Sequence, residues 1–359
     1  MDAATGTVLL SHNEHEPLAP ASVTKIMTLL LIMEAIDSGV IAWTDSVTAS
    51  PAAAAKGGSQ IYLKAGETMS VADMVKSIAV SSANDCACAM AELLAGSEAA
   101  FVEKMNRRAA ELGMNDTHFV NCTGLDDDPE AKNHKTSAWD IALMSRELLT
   151  RHPDIKKYTT IWMDSVRDGT FGLSNTNKLI RFYPGATGLK TGYTSGAGFC
   201  LSASALRDGM ELIAVVLGAE TSADRFDACR GMLDWGFAHF ALYTPEIPEA
   251  PPIPVRLGVT DSLRVVPSLT GPLLVMKEEL SSLSAELTLE PELSAPVEQG
   301  QKVGTLSVLK NGRVLTVIPM IAAESVPRLS FSDLYRLLLG KITGCRDTIG
   351  NLSKIRSEN

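Results

Sequence analysis

The chain is 359 residues long, more than one average domain and enough for two or three. Apolar residues make up 45% and charged residues 21%, which excludes a disordered, collagenous or coiled-coil chain. A formal charge of −10 argues against a nucleic-acid partner, and no apolar run reaches the roughly 18–20 residues of a membrane-spanning helix.

The chain opens on Met1-Asp2 with no basic and apolar leader, which leaves either a cytoplasmic protein or a chain read without its leader. Ala4-Thr5-Gly6 then reads as a hairpin turn, with Thr7 to Ser11 as the returning strand. Pro20 precedes Ser22, and Val23 to Ser38 has helical periodicity ending at Gly39. Its apolar run from Ile26 to Met33, broken by Thr28, predicts a buried helix. Helices follow at Val71 to Ala95 and at Glu98 to Leu112. From Gly188 the pattern turns to strands: Leu189 to Thr194, Gly198 to Leu206 and Met210 to Gly218. Asp224 to Phe240 is helical again, with Phe226, Cys229, Leu233 and Phe237 on one face. This order implies an α/β domain whose two ends meet in one sheet.

Between Pro245 and Pro254 five of ten residues are proline, a semi-rigid linker composition. Beyond it, Thr305 to Leu309 and Val314 to Ile318 flank Asn311-Gly312, a strong hairpin signal inside a small all-β domain. The tail spaces Phe331, Tyr335, Leu338, Ile342, Cys345, Ile349 and Leu352 by fours and threes, the stripe of an amphipathic helix. Cys86 and Cys88 point apart on a helix, and Cys122, Cys200, Cys229 and Cys345 have no zinc-site spacing. The six thiols read as small buried or idle groups, and no metal or cofactor is implied.

Three short patterns carry possible chemistry. Ser22-Val23-Thr24-Lys25 puts a hydroxyl and an amine one turn apart where a helix begins. An amine lowered in pKa by burial can take a serine proton, and the helix start offers free N–H groups. Alone, Ser22 also reads as a helix N-cap and Lys25 as a solvated charge. The same spacing at Ser307 and Lys310 falls in a strand, where the two face opposite sides. Ser82-Ala83-Asn84 interrupts a helical stretch with poor helix formers, which suits a bend presenting polar groups to a cleft, or a plain loop. Lys190-Thr191-Gly192 lies on a predicted strand. Lysine and threonine there could hold a carboxylate, and glycine would let a substrate backbone approach. The plain alternative is an edge strand guarded by lysine.

In this order, on helix, loop and strand, the three patterns are those of serine β-lactamases and penicillin-binding proteins. The chain resembles the low-molecular-mass penicillin-binding proteins, serine-type D-alanyl-D-alanine carboxypeptidases. The likeness extends to Met1-Asp2-Ala3-Ala4-Thr5-Gly6, Asn121-Cys122-Thr123-Gly124-Leu125, Asn133-His134 and Leu233-Asp234-Trp235-Gly236-Phe237. It implies a β-lactamase/transpeptidase-like α/β catalytic domain over residues 1–243, an antiparallel sheet with helices on both sides. A small all-β domain over 252–327 and an amphipathic tail over 328–359 follow.

Carried over by position, Ser22 is the nucleophile, Lys25 its base and Ser82 a proton relay, with Asn84 on the substrate amide. Lys190 and Thr191 take the terminal carboxylate, beside Gly192. The N–H groups of Ser22 and Tyr193 form the oxyanion hole. Arg225 matches an arginine near that carboxylate, though an exposed arginine is the plainer reading. Thr187 stands where many relatives have an acid. The resemblance implies removal of terminal D-alanine from peptidoglycan stem peptides, acylation by β-lactams and a place outside the cytoplasm, secreted or at the membrane. The tail from Phe331, with an excess of two positive charges, is expected on an anionic membrane surface. The competing readings are a β-lactamase, for which Glu130 near Asn133 is the available carboxylate, and a catalytically silent peptidoglycan-binding protein.

Overall fold

The computed structural model describes residues 1–127, 129–246, 250–268 and 271–343. The chain divides into two compact units, Met1–Ala241 and Leu242 onward.

In the first unit, a 3₁₀ turn Ala21–Thr24 runs into α1 (Lys25–Asp37), whose side chains from Lys25 to Leu30 are all buried. With no polar face to show to water, α1 sits at the centre, packed by α2 (Val71–Ser81), α3 (Asn84–Ala95), α4 (Glu98–Glu111) and α5 (Ala138–Arg151). The helical stretch from Val71 to Ala95 is two helices, broken at Ser82-Ala83 where the sequence expects an interruption. Serine side chains cap the starts of α2, α4 and α5.

An antiparallel sheet follows: β1 (Ala186–Thr194), β2 (Gly198–Arg207) and β3 (Met210–Ala219), in that spatial order. Its register sets Lys190 opposite Ser202 and Gly192 opposite Cys200. Helix α5 and α6 (Ser222–His239) pack against it, and Phe226, Cys229, Leu233 and Phe237 of α6 are buried as their spacing predicts. The two ends of this unit do meet in one sheet, because Asp2 bridges Leu212 on β3.

The predicted opening hairpin is not formed. Asp2 Oδ2 accepts from the backbone and hydroxyl of Thr5 (2.7 and 2.6 Å), closing a turn, but Thr7 to Ser11 is not a strand. The first three residues pair with β3 instead. All five described cysteines are free and buried.

The proline-rich stretch is shorter as a linker than its composition suggests, since Ile253–Arg256 is already a strand. In the second unit β4 (Leu283–Leu289), β5 (Lys302–Lys310) and β6 (Arg313–Ala322) form antiparallel neighbours. The β5–β6 turn is Asn311-Gly312, both at positive φ (51° and 76°), as a two-residue hairpin requires. Two small apolar clusters, one around Ile253, Val255 and Val303 and one around Leu306, Val308 and Met320, hold this unit.

Helix α7 (Phe331–Thr343) is capped by Ser330, whose hydroxyl accepts from Asp333 N while Asp333 Oδ2 accepts from Ser330 N. Phe331, Tyr335 and Leu338 are exposed along it. The remaining stripe positions Cys345, Ile349 and Leu352 lie outside the described residues, as does the side chain of Ile342. Among the described residues no helix is long and apolar enough to cross a membrane.

Candidate active site

The turn that starts α1 sets the first pair. Lys25 Nζ lies 2.8 Å from Ser22 Oγ and donates a second bond to Thr123 O, also 2.8 Å. Lys25 is fully buried and no solvated charge. Burial pushes its pKa from 10.5 down to about 7, against smaller opposing pulls from Cys122 and Asp85. Ser22 is partly exposed and caps no helix; the turn is closed by Thr24, whose hydroxyl donates to Ala21 O at 2.8 Å. Since that hydroxyl's proton is committed, His134 must donate from Nε2 to Thr24 Oγ1 (2.8 Å) while Nδ1 accepts from Val120 N (3.1 Å). Burial, then the charges of His118 and Lys25, hold His134 down at about 4, so the ring is a neutral brace.

The carbonyl that Lys25 needs is presented by a loop built around Asn121. Its Oδ1 accepts from Thr123 N (3.1 Å) and Gly124 N (2.7 Å), and its Nδ2 donates to Leu125 O (2.9 Å). Gly124 has φ +81°, and a Cβ there would sit 1.8 Å from Ala21 O. Only glycine lets this loop lie against the Ser22 turn.

The second pattern is the break between α2 and α3. Ser82 occupies the left-handed region (φ 65°), a costly conformation for a residue with a Cβ. It reverses the chain so that Asn84 starts α3. Ser82 Oγ and Asn84 Oδ1 are buried, with no hydrogen-bond partner among the described residues. Asn84 is held from the other side, Nδ2 to Gly57 O and N to Ser59 O, both at 2.7 Å. Gly58 wedges between Asn84 and Leu125: a Cβ there would meet Asn84 Nδ2 at 2.8 Å and Leu125 Cδ2 at 3.1 Å. That contact joins the Ser82–Asn84 bend to the loop carrying Thr123.

The third pattern lies on β1. Lys190 is buried, not an exposed guard of a sheet edge, and Nζ donates to Thr191 O at 2.8 Å. Burial, then the neighbouring charges of Lys25 and Arg225, push its pKa well below the ordinary lysine value. Thr191 Oγ1 donates to Thr176 Oγ1 at 2.7 Å. A Cβ at Gly192 would lie 2.5 Å from Pro20 O and 3.0 Å from Ser22 N, so the glycine lets β1 close on the Ser22 turn. Tyr193 is exposed and stacks on Phe199 at 4.3 Å between centroids. Arg225 is buried, against the reading of an exposed arginine. The first turn of α6 faces the sheet, and Nη1 donates to Gly192 O (2.8 Å) and Cys200 O (3.1 Å) while the guanidinium lies over Phe199 and Phe226.

Ser22, Lys25, Lys190, Gly192 and Arg225 thus converge directly, and Ser82 and Asn84 border them through Gly58 and Leu125. Sequence reasoning gave no role to Asn121, His134, Thr176 or Gly58. An asparagine two residues before a threonine-glycine pair was the available signal. Glu130 is exposed and accepts from Asn133 Nδ2 at 3.0 Å on a short 3₁₀ turn. Among the described residues no three or more His, Cys, Asp or Glu side chains gather as metal ligands. Chemically the arrangement offers a hydroxyl beside an amine that is substantially neutral near pH 7, backed by two further buried cations, a setting for attack on a carbonyl next to an anionic group.

Comparison with known proteins agrees. The D-alanyl-D-alanine carboxypeptidase peptidase family matches residues 1–221, and the C-terminal domain of penicillin-binding protein 5 matches 251–328. The chain is 43% identical over 346 residues to the D-alanyl-D-alanine carboxypeptidase DacF of Bacillus subtilis, covering 94% of this chain and 87% of that one. Penicillin-binding protein 5 of Haemophilus influenzae superposes with a TM-score of 0.78 at 30% identity, covering 91% and 96% of the two chains. Penicillin-binding protein D2 of Listeria monocytogenes, described in an ampicillin-bound form, gives 0.57 at 31% identity over 66% and 94%. With its Ser22–Lys25 pair, its Lys190 strand and these relatives, the chain belongs to the serine D-alanyl-D-alanine carboxypeptidase family.

Proposed function

We propose that this chain removes the terminal D-alanine from peptidoglycan stem peptides through an acyl-enzyme on Ser22. The observation that carries the reading is the fully buried Lys25 amine, 2.8 Å from Ser22 Oγ and with its pKa lowered to about 7. Neutral Lys25 takes the Ser22 proton as Oγ attacks the penultimate carbonyl. The N–H groups of Ser22 and Tyr193 receive the developing oxyanion, and Lys190 and Thr191 hold the substrate carboxylate, whose charge offsets the crowding of Lys190, Lys25 and Arg225. Ser82 passes a proton to the departing amine, and Asn84 aligns the substrate amide. Arg225 acts one step back, fixing the Gly192 carbonyl and so the strand. Water then cleaves the ester.

A β-lactam presents the same carbonyl and carboxylate, but its leaving amine stays tethered, so the acyl-enzyme persists. The enzyme works outside the cytoplasm, where its substrate is. We further assign α7 and the residues after it to an anionic membrane surface, supported by the exposed Phe331, Tyr335 and Leu338.

The direct test is intact-protein mass after penicillin treatment, alongside D-alanine release from a stem pentapeptide. The parent gains one adduct and releases D-alanine, and Ser22→Ala does neither while keeping its melting temperature. An adduct of equal yield in Ser22→Ala would sink the assignment.

A further inference from the structure

The two loops that set the reactive groups are tied together by an ion pair to which the reaction gives no part. Glu98 is the first residue of α4, where Ser97 Oγ caps the helix by accepting from Ala100 N at 3.2 Å. An acid in the first turn of a helix needs no further role. The Glu98 carboxylate, however, turns to two other segments. Oε1 accepts from the backbone N–H and the thiol of Cys122, both at 3.2 Å, and Oε2 meets Lys56 Nζ at 2.5 Å. The Lys56 and Glu98 side chains are only 25% and 22% exposed, so water screens this pair less than a surface one. Burial would raise the Glu98 pKa, but the bonds from Lys56 and Cys122 outweigh it and hold the carboxyl below its ordinary range.

Each end of the pair reaches a reacting group through a neighbouring peptide unit. Cys122 is pinned at both of its backbone groups, its N–H by Glu98 and its carbonyl by the hydroxyl of Thr28 on α1 (2.6 Å). The next carbonyl, Thr123 O, is the one that accepts from Lys25 Nζ. Lys56 immediately precedes Gly57, whose carbonyl accepts from Asn84 Nδ2 at 2.7 Å. Neutral Lys25 has to aim its lone pair at the Ser22 hydroxyl, and Thr123 O is the acceptor that fixes the amine in rotation. A shift of this carbonyl frees the amine to turn, which slows proton transfer. It also withdraws a dipole that favours the ammonium form, which lowers the Lys25 pKa further.

We propose that Glu98 and Lys56 are positioning residues for acyl transfer: their ion pair sets the Thr123 carbonyl against Lys25 and the Gly57 carbonyl against Asn84. The inference rests on Lys25 being the base of the proposed reaction. The ionisable groups whose charges bear on Lys25 are Cys122, Asp85, Lys190 and His134, and the substitutions that test the pair leave all four in place.

The test is the second-order rate of fluorescent-penicillin labelling from pH 5 to 9, per folded molecule, with melting temperature measured in parallel. Glu98→Gln keeps an oxygen for Cys122 but turns an amide donor toward Lys56, and Lys56→Met keeps the stem without the charge. Each should lower the plateau rate about tenfold and move the midpoint of the acid limb to lower pH by roughly half a unit or more. The double variant should stay within about threefold of either single one, since both remove the same pair. Lys56→Arg, which keeps the charge, should label within about threefold of the parent. Should Glu98→Gln fail to fold, the two Lys56 variants decide the question. Rates and midpoints equal to the parent's in the single variants, whatever their melting temperatures, would overturn the proposal. So would single effects that multiply in the double variant, or a Lys56→Arg chain as slow as Lys56→Met. A lowered plateau with an unmoved midpoint would overturn it too, by reducing the pair to general support of the fold. A flat profile in the parent itself would refute Lys25 as the base and take this inference with it. With the expected acid limb in the parent, unchanged variants refute the positioning role alone.

Discussion

The pH dependence of acylation is the sharpest consequence of the Lys25 geometry. Only the neutral amine can take the Ser22 proton, so the rate should follow the deprotonated fraction of Lys25. With a pKa of about 7, that fraction is about 90% at pH 8, half at pH 7 and about 1% at pH 5. The second-order acylation rate should then fall roughly ninetyfold between pH 8 and pH 5, with a slope approaching tenfold per unit at the acid end. The carboxylate of a penicillin stays ionised across this range and contributes no step of its own. His134, held at about 4, remains neutral throughout and keeps the turn braced. The measurement is the rate of fluorescent-penicillin labelling from pH 5 to 9, with circular dichroism at each pH to show that the fold persists. A flat profile, or one still rising tenfold per unit at pH 9 as an ordinary lysine would give, refutes the argument that burial has made Lys25 the base.

Three further outcomes follow from the same geometry. Lys25→Arg should lose acylation nearly as completely as Lys25→Ala, because a guanidinium keeps its proton; near-parental labelling by Lys25→Arg would reduce Lys25 to a purely electrostatic role. Gly192→Ala should slow acylation by about 100-fold or more with its fold retained, since the new Cβ meets Pro20 O at 2.5 Å and Ser22 N at 3.0 Å and pushes β1 off the Ser22 turn. Labelling within threefold of the parent would show that the strand yields without cost. In flotation with anionic liposomes, the full chain should rise with lipid and a chain ending at Arg328 should stay in the protein-only fraction, and equal recovery of the two there would remove the membrane assignment.

The helices and strands around the site were legible because their signals are local. The 3.6-residue periodicity of α6 and the Asn311-Gly312 hairpin each fix a backbone conformation within a few residues. The opening strand failed for the opposite reason. Thr7 to Ser11 has the composition of a strand, but a strand exists only when something pairs with it, and pairing is a property of the rest of the sheet.

The site divides along the same line. Serine and lysine one helical turn apart can be read from spacing, but whether the lysine is a base or a solvated charge depends on what covers it. That cover comes from the Asn121–Leu125 loop, about a hundred residues away in sequence, through Thr123 O. Gly192 makes the point most clearly. Its identity suggests a close approach, and the sequence alone gives no sign of what approaches. The answer is the backbone of Pro20 and Ser22, from the other end of the catalytic unit. Arg225, read as an exposed arginine or as one near the substrate carboxylate, is buried and donates to the carbonyl of that same glycine. The three motifs are therefore parts of one contact. Gly192 lets β1 close on the Ser22 turn that carries Lys25, and burial together with the charges of Lys25 and Arg225 lowers the pKa of Lys190. In the proposed reaction, a substrate carboxylate arriving at Lys190 would supply the negative charge that this buried cluster lacks.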